Sequence, residues 1–107
     1  MWIVNETAYS QKPQGITVHF YRPADWEYWN TRIYFYEDNN ILMEWPGTLM
    51  NSQMYDNWLT YTIYGIENPK VIFNDSQNKQ IPGVLQEGHL VTRDVWYKDG
   101  IWSTYKP

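Results

Sequence analysis

Few side chains in this sequence are of types that make or break bonds. Its twelve carboxylates include two close pairs, Asp25/Glu27 and Glu37/Asp38. Acid–base work by two carboxylates needs them across one cleft, with their pKa values driven apart by burial. Both pairs fall in turns or at strand ends, where carboxylates are ordinarily solvated. The only histidines are His19 and His89. His19 alternates with Val18 and Phe20, which places it on the opposite face among polar neighbours, and a lone strand histidine is more often a plain surface residue than a ligand. Ser10, Ser52, Ser76 and Ser103 lack a nucleophile-elbow context. Six glycines form no phosphate-cradling loop, and zero cysteines exclude disulfides, thiolate zinc sites and thiol nucleophiles. Asp38-Asn39-Asn40 and Asn74-Asp75-Ser76 offer oxygens to a cation without calcium-loop spacing, so turn chemistry explains them more simply. Asn5-Glu6-Thr7 and Asn74-Asp75-Ser76 also match the glycosylation triplet, a weak signal alone. No catalytic residue, metal or cofactor is expected.

The aromatic residues differ. Seven Trp, ten Tyr and three Phe make up 19% of 107 residues, more large rings than so short a chain can hide. In the run 31–37, Ile33 and Phe35 share one strand face and Tyr34 and Tyr36 the other. The first pair suits a core. The second points outward, with its side chains about 7 Å apart along the strand. Trp45 follows after a short excursion. Such an exposed set marks a binding surface on a small domain. A pyranose ring suits it, because flat rings cover the apolar C–H face while phenol and indole edges reach hydroxyls. Asn74, Gln77, Asn78 and Gln80 supply amides nearby. The alternative is that Tyr34 and Tyr36 stack on cross-strand partners or cover another sheet. Trp26, Tyr28 and Trp29 form a second, less regular candidate group.

Charge narrows the partner. Eight Lys+Arg against twelve Asp+Glu give a net charge of -4, and the cations are scattered singly. Binding to nucleic acid draws on clustered cations, so it is not expected. Apolar runs such as Ile41–Met43 and Val71–Phe73 are far short of the roughly 20 residues of a membrane span, and no signal-peptide pattern opens the chain.

The elements that must position these rings read as short strands. Residues 1–15 are a lead-in, with a possible edge strand at Trp2–Val4, and 16–107 form one domain. Period-2 alternation predicts strands over Ile16–Tyr21, Thr31–Glu37 and Trp58–Tyr64. Shorter strands are expected at Ile41–Trp45, Lys70–Asn74, His89–Thr92, Val95–Lys98 and Ile101–Tyr105, with Asp99-Gly100 as a hairpin turn. No window carries a long helical stripe. The fold class is all-β, a two-sheet antiparallel sandwich.

One resemblance spans most of this frame. Ile16-Thr17-Val18-His19-Phe20-Tyr21-Arg22-Pro23 with Trp26, Ile33-Tyr34-Phe35-Tyr36, and Trp45-Pro46-Gly47 with Met50 are its first pieces. Trp58…Tyr61-Thr62-Ile63, Val71-Ile72-Phe73-Asn74-Asp75 and Asp94–Gly100 complete it. In this order they resemble carbohydrate-binding module family 26. The resemblance implies an immunoglobulin-like sandwich, non-catalytic, appended as a monomeric module to a secreted, extracellular bacterial amylase. It implies binding to starch, amylose and malto-oligosaccharides through Tyr34, Tyr36 and Trp45, with polar help expected from Gln80 and Lys79. A protein–protein or structural module of a secreted multidomain protein is the competing expectation.

Overall fold

The structure, a computed structural model, describes residues 15–38, 40–52 and 56–107. The expected edge strand at Trp2–Val4 and the rest of the lead-in through Gln14 lie outside them. Among the described residues nine strands follow in order: β1 (Ile16–Tyr21), β2 (Arg32–Tyr36), β3 (Thr48–Leu49), β4 (Trp58–Ile63), β5 (Lys70–Asn74), β6 (Gln80–Ile81), β7 (His89–Leu90), β8 (Val95–Lys98) and β9 (Ile101–Ser103). A single 3-10 turn, Tyr28–Asn30, interrupts the β1–β2 connection.

The strands form two sheets. The first runs β4-β1-β8-β9 and the second β3-β2-β5-β6, with β7 also paired to β5. Pairing is antiparallel except between β1 and β8, which run parallel with His19 beside Trp96. Alternation sends Val18, Phe20, Leu59 and Ile63 of the first sheet and Ile33, Phe35, Val71 and Phe73 of the second into one core. Phe20 stacks on Phe73 at 4.0 Å between ring centroids, joining the sheets at the centre. Phe20, Trp26, Phe35, Phe73 and Tyr97 carry part of the aromatic surplus into this core, while Tyr28, Trp29, Trp45, Tyr64 and Tyr105 stay exposed. Truncating Phe20 or Phe73 to Ala costs about 3–5 kcal/mol.

The expected strand over Ile41–Trp45 does not form. Leu42 and Met43 instead pack against the core from a loop, and Glu44 accepts a hydrogen bond from Gly47 N at 2.8 Å to close a turn. Pro46 cannot donate to a ladder, which ends any pairing there. Asp99-Gly100 is the expected hairpin turn, both residues at positive φ (52° and 86°), as a two-residue loop between twisted strands requires.

Candidate functional site

The outer face of the second sheet is set out in rows by its register. Cross-strand partners share a face, so Arg32, Asn74 and Gln80 form one row, Tyr34 and Ile72 the next, and Tyr36, Lys70 and Leu90 the third. Ile72 is buried yet stands apart from the inter-sheet core. It is an apolar floor beside Tyr34.

Tyr34 and Tyr36 have ring centroids 5.9 Å apart at an interplanar angle of 39°. Trp45 meets Tyr34 at 5.2 Å and 60°, and its ring is half exposed. Three rings therefore lie together, inclined to one another rather than coplanar.

Trp45 is held there from below. Asn74 Nδ2 donates to Pro46 O at 2.9 Å, and Asn74 Oδ1 accepts from Ser76 N at 2.9 Å. Arg32 donates through Nη1 to Gly47 O at 2.9 Å and through Nε to Ser76 Oγ at 3.0 Å. Gly47 sits at φ 99°, and a Cβ there would stand 2.2 Å from Ile33 O. Only glycine lets the turn lie this close to β2. Asn74 is consequently a structural residue, not a free amide, and at 2% exposure it is no acceptor for a glycan.

Tyr36 is fixed by a different loop. Its hydroxyl accepts from Gly88 N at 3.0 Å, and a Cβ on Gly88 would lie 3.2 Å from the Tyr36 ring. Beside it, Lys70 Nζ lies 2.7 Å from Asp38 Oδ1 and also pairs with Glu87. The hydrogen bonds to Asp38 and Glu87 hold the Lys70 ammonium above the usual lysine range. Periodicity could not find this lysine or Gly88, because their neighbours arrive from distant sequence.

Gln80 shares the outer face and donates through Nε2 to Pro82 O at 3.1 Å, leaving its carbonyl end as an acceptor. Lys79 is the odd member of the expected set. It lies just before β6, where its carbonyl accepts from Asp75 N at 3.1 Å, and its ammonium lies 2.5 Å from Asp25 Oδ2. The hydrogen bond from Lys79 lowers the Asp25 pKa, and its counterpart raises that of Lys79. In the same loop, burial pushes the Asp75 carboxyl up, but backbone N–H groups of Lys79, Gln77 and Asn78 outweigh it and hold it low. This is the turn chemistry expected of Asn74-Asp75-Ser76. Among the described residues no cluster of three potential metal ligands occurs.

The second candidate group divides. Trp26 is buried against Phe20, with centroids 5.4 Å apart. Tyr28 and Trp29 remain exposed, edge to face at 5.0 Å. Each histidine ring stacks on an indole, His19 on Trp96 at 4.4 Å and 7° and His89 on Trp102 at 3.8 Å and 6°; His19 also has the polar Thr60 as its cross-strand partner.

Comparison with known proteins bears on the family and the fold. The profile of the family described as Starch-binding module 26 matches residues 18–86. The fold is similar to a CBM26 from a Bacillus halodurans amylase, at 28% identity and TM-score 0.75, covering 88% of this chain and 95% of that one. A second structure of that module, in complex with maltose, matches at 28% identity and TM-score 0.75 over 87% of this chain and all (100%) of that one. CBMbc, of family CBM26, from Eubacterium rectale Amy13K, in complex with maltoheptaose, shares the fold at 21% identity and TM-score 0.66, over 88% of this chain and 46% of that one. No curated protein gives a significant sequence match. With a family profile matched over well over half its length and a sandwich that superposes on the family's own, the chain belongs to the starch-binding module family CBM26.

Proposed function

We propose that the chain binds starch and malto-oligosaccharides without chemistry of its own, and holds an attached amylase on its substrate. The observation that carries this reading is the cluster of Tyr34, Tyr36 and Trp45 on the outer face of the second sheet. Three inclined rings cradle a curved chain such as an α-1,4-glucan, whereas a flat row suits a straight one. The rings desolvate the C–H faces of successive glucose units. The Gln80 amide reads hydroxyls from the same face. Lys79, tethered to Asp25, contributes at the edge at most. The origin of the similar modules in bacterial amylases supports placement outside the cell, as part of a secreted enzyme.

Association still has to offset lost freedom and displaced water, so affinity falls roughly between millimolar and micromolar. Many such contacts on a granule raise retention well beyond one site's affinity. The test is tryptophan fluorescence titrated with maltose, maltoheptaose and cellobiose, together with retardation in amylopectin gels. Malto-oligosaccharides quench or shift the emission and cellobiose does not. Tyr34→Ala and Trp45→Ala weaken retardation while circular dichroism stays native. Equal response to cellobiose, or undiminished retardation in both variants, refutes the reading. Concentration-dependent self-association without any response to maltoheptaose would point instead to a protein-docking module.

A further inference from the structure

The opposite sheet carries a second concavity. A groove of about 400 Å³ is lined by His19, Asn51, Ser52, Asp56, Trp58, Thr60, Trp96 and Lys106, a volume within the range of small-ligand sites. Its construction follows from register. His19 is paired with Thr60 on β4 and with Trp96 on β8, so all three point out of the first sheet in one row. Trp58 stands one row away, opposite Tyr21, which it meets edge to face at 5.1 Å. β4 and β8 flank β1, so their backbones are about 10 Å apart. Thr60, Trp58 and the His19 ring stacked on Trp96 line the slot.

The rim is polar. Asn51 and Thr60 exchange two backbone hydrogen bonds, of 2.8 and 2.9 Å, which bring the exposed Asn51 and Ser52 to the sheet edge. Asp56 accepts from Trp58 N through Oδ1 at 2.9 Å and brings a carboxylate to the same side. Indole walls with amide, hydroxyl and carboxylate rims suit a ligand with apolar faces and a hydroxyl edge. One carboxylate and one ammonium on the lining do not suit a phosphate or a nucleic acid. So polar a rim does not suit a purely apolar ligand.

We propose that this groove is a second binding site for an α-1,4-glucan, distinct from the Tyr34–Tyr36–Trp45 platform; the choice of ligand rests on the starch-binding reading. The two sites lie on the outer faces of sheets packed about 10 Å apart, back to back. One short oligosaccharide cannot reach both. The module therefore takes two chains, one per face.

The test is histidine-detected NMR and calorimetry with maltoheptaose. In the wild-type chain the His19 ring resonances shift on titration while those of His89 stay fixed, and the stoichiometry is two. In Tyr34→Ala/Trp45→Ala the stoichiometry falls to one and the His19 shift persists. Adding Trp58→Ala then weakens the remaining affinity at least tenfold. Wild-type binding at a stoichiometry of one with unmoved His19 resonances overturns the second site and leaves the platform standing. No binding of maltoheptaose anywhere overturns both. Because the first measurement uses the unaltered chain, failure of a variant to fold does not rescue the proposal.

Discussion

Replacing Asn74 separates the anchoring of Trp45 from its contact with sugar. Its amide makes two hydrogen bonds of 2.9 Å, to Pro46 O and from Ser76 N, in a site only 2% exposed. Asn74→Ala removes both, at about 1 kcal/mol each, and leaves a small void worth about as much again. The sum, about 3 kcal/mol, lowers the melting temperature of a domain this size by roughly 12–24 °C. Asn74→Asp is the sharper probe, because it keeps shape and the acceptor for Ser76 N. At neutral pH it sets a carboxylate oxygen against the Pro46 carbonyl oxygen, and burial with that repulsion raises its pKa above the unfolded value. The native state then takes up the proton first as pH falls, and the protonated acid donates to Pro46 O again. The stability gap to wild type therefore narrows from about pH 7 to about pH 5. Thermal melts followed by circular dichroism across that range read the gap. Calorimetry with maltoheptaose should show Asn74→Ala binding roughly tenfold more weakly, equivalent to about 1.4 kcal/mol, and less impaired than Trp45→Ala. An Asn74→Asp protein as stable as wild type at pH 7, or a gap that does not change with pH, refutes the role given to this amide.

Gly88→Ala crowds Val71 O at 3.1 Å and the Tyr36 ring at 3.2 Å; a loss of about 1–2 kcal/mol in urea unfolding is expected, with weaker maltoheptaose binding. Gly47→Ala is harsher, since its Cβ would stand 2.2 Å from Ile33 O at φ 99°, and a loss above about 3 kcal/mol should appear in the same assay. Lys79→Ala should change the maltoheptaose Kd less than Gln80→Ala does, because Lys79 is held by Asp25; the reverse order in calorimetry would return Lys79 to the site. Burial lowers the pKa of His19, where Asp94 opposes and Lys106 assists, and of His89, where burial acts alone. The unfolded chain thus binds protons first as pH falls below about 6.5, and stability declines from there until the folded values are passed. Asp25 and Asp75, also lowered, act only below their ordinary 3.8. Urea midpoints measured from about pH 7.5 to about pH 5 should fall, and the slope should flatten in His89→Gln.

What could be read from the sequence was whatever a period of two controls. β1, β2, β5 and β8 follow from alternation or from compact apolar runs bounded by turn residues, and alternation alone puts Tyr34 and Tyr36 outside. β3 and β6 have two residues each, too few to show a period, and are strands only because β2 or β5 offers an edge; the strand expected over His89–Thr92 shortens to β7, the two residues that pair with β5. Ile41–Met43 misleads because its apolar residues plug a gap from a loop. Trp45 reaches Tyr34 through Asn74 and Arg32, contacts that no local pattern encodes. The groove on the other sheet is invisible for the same reason: Trp96 meets His19 through a parallel pairing 77 residues distant.

The segment from Thr48 to Asn51 has a mechanical consequence. Thr48–Leu49 pairs with β2 in one sheet, Met50 N donates to Thr31 O at 3.0 Å, and Asn51 joins Thr60 in the other. At this border the sandwich is a folded-over ribbon rather than two separable plates. Neither edge can fray without loosening the other. Amide hydrogen exchange at Met50, Asn51 and Thr60 should accordingly share one opening free energy, and a glucan gripping either face should slow all three together.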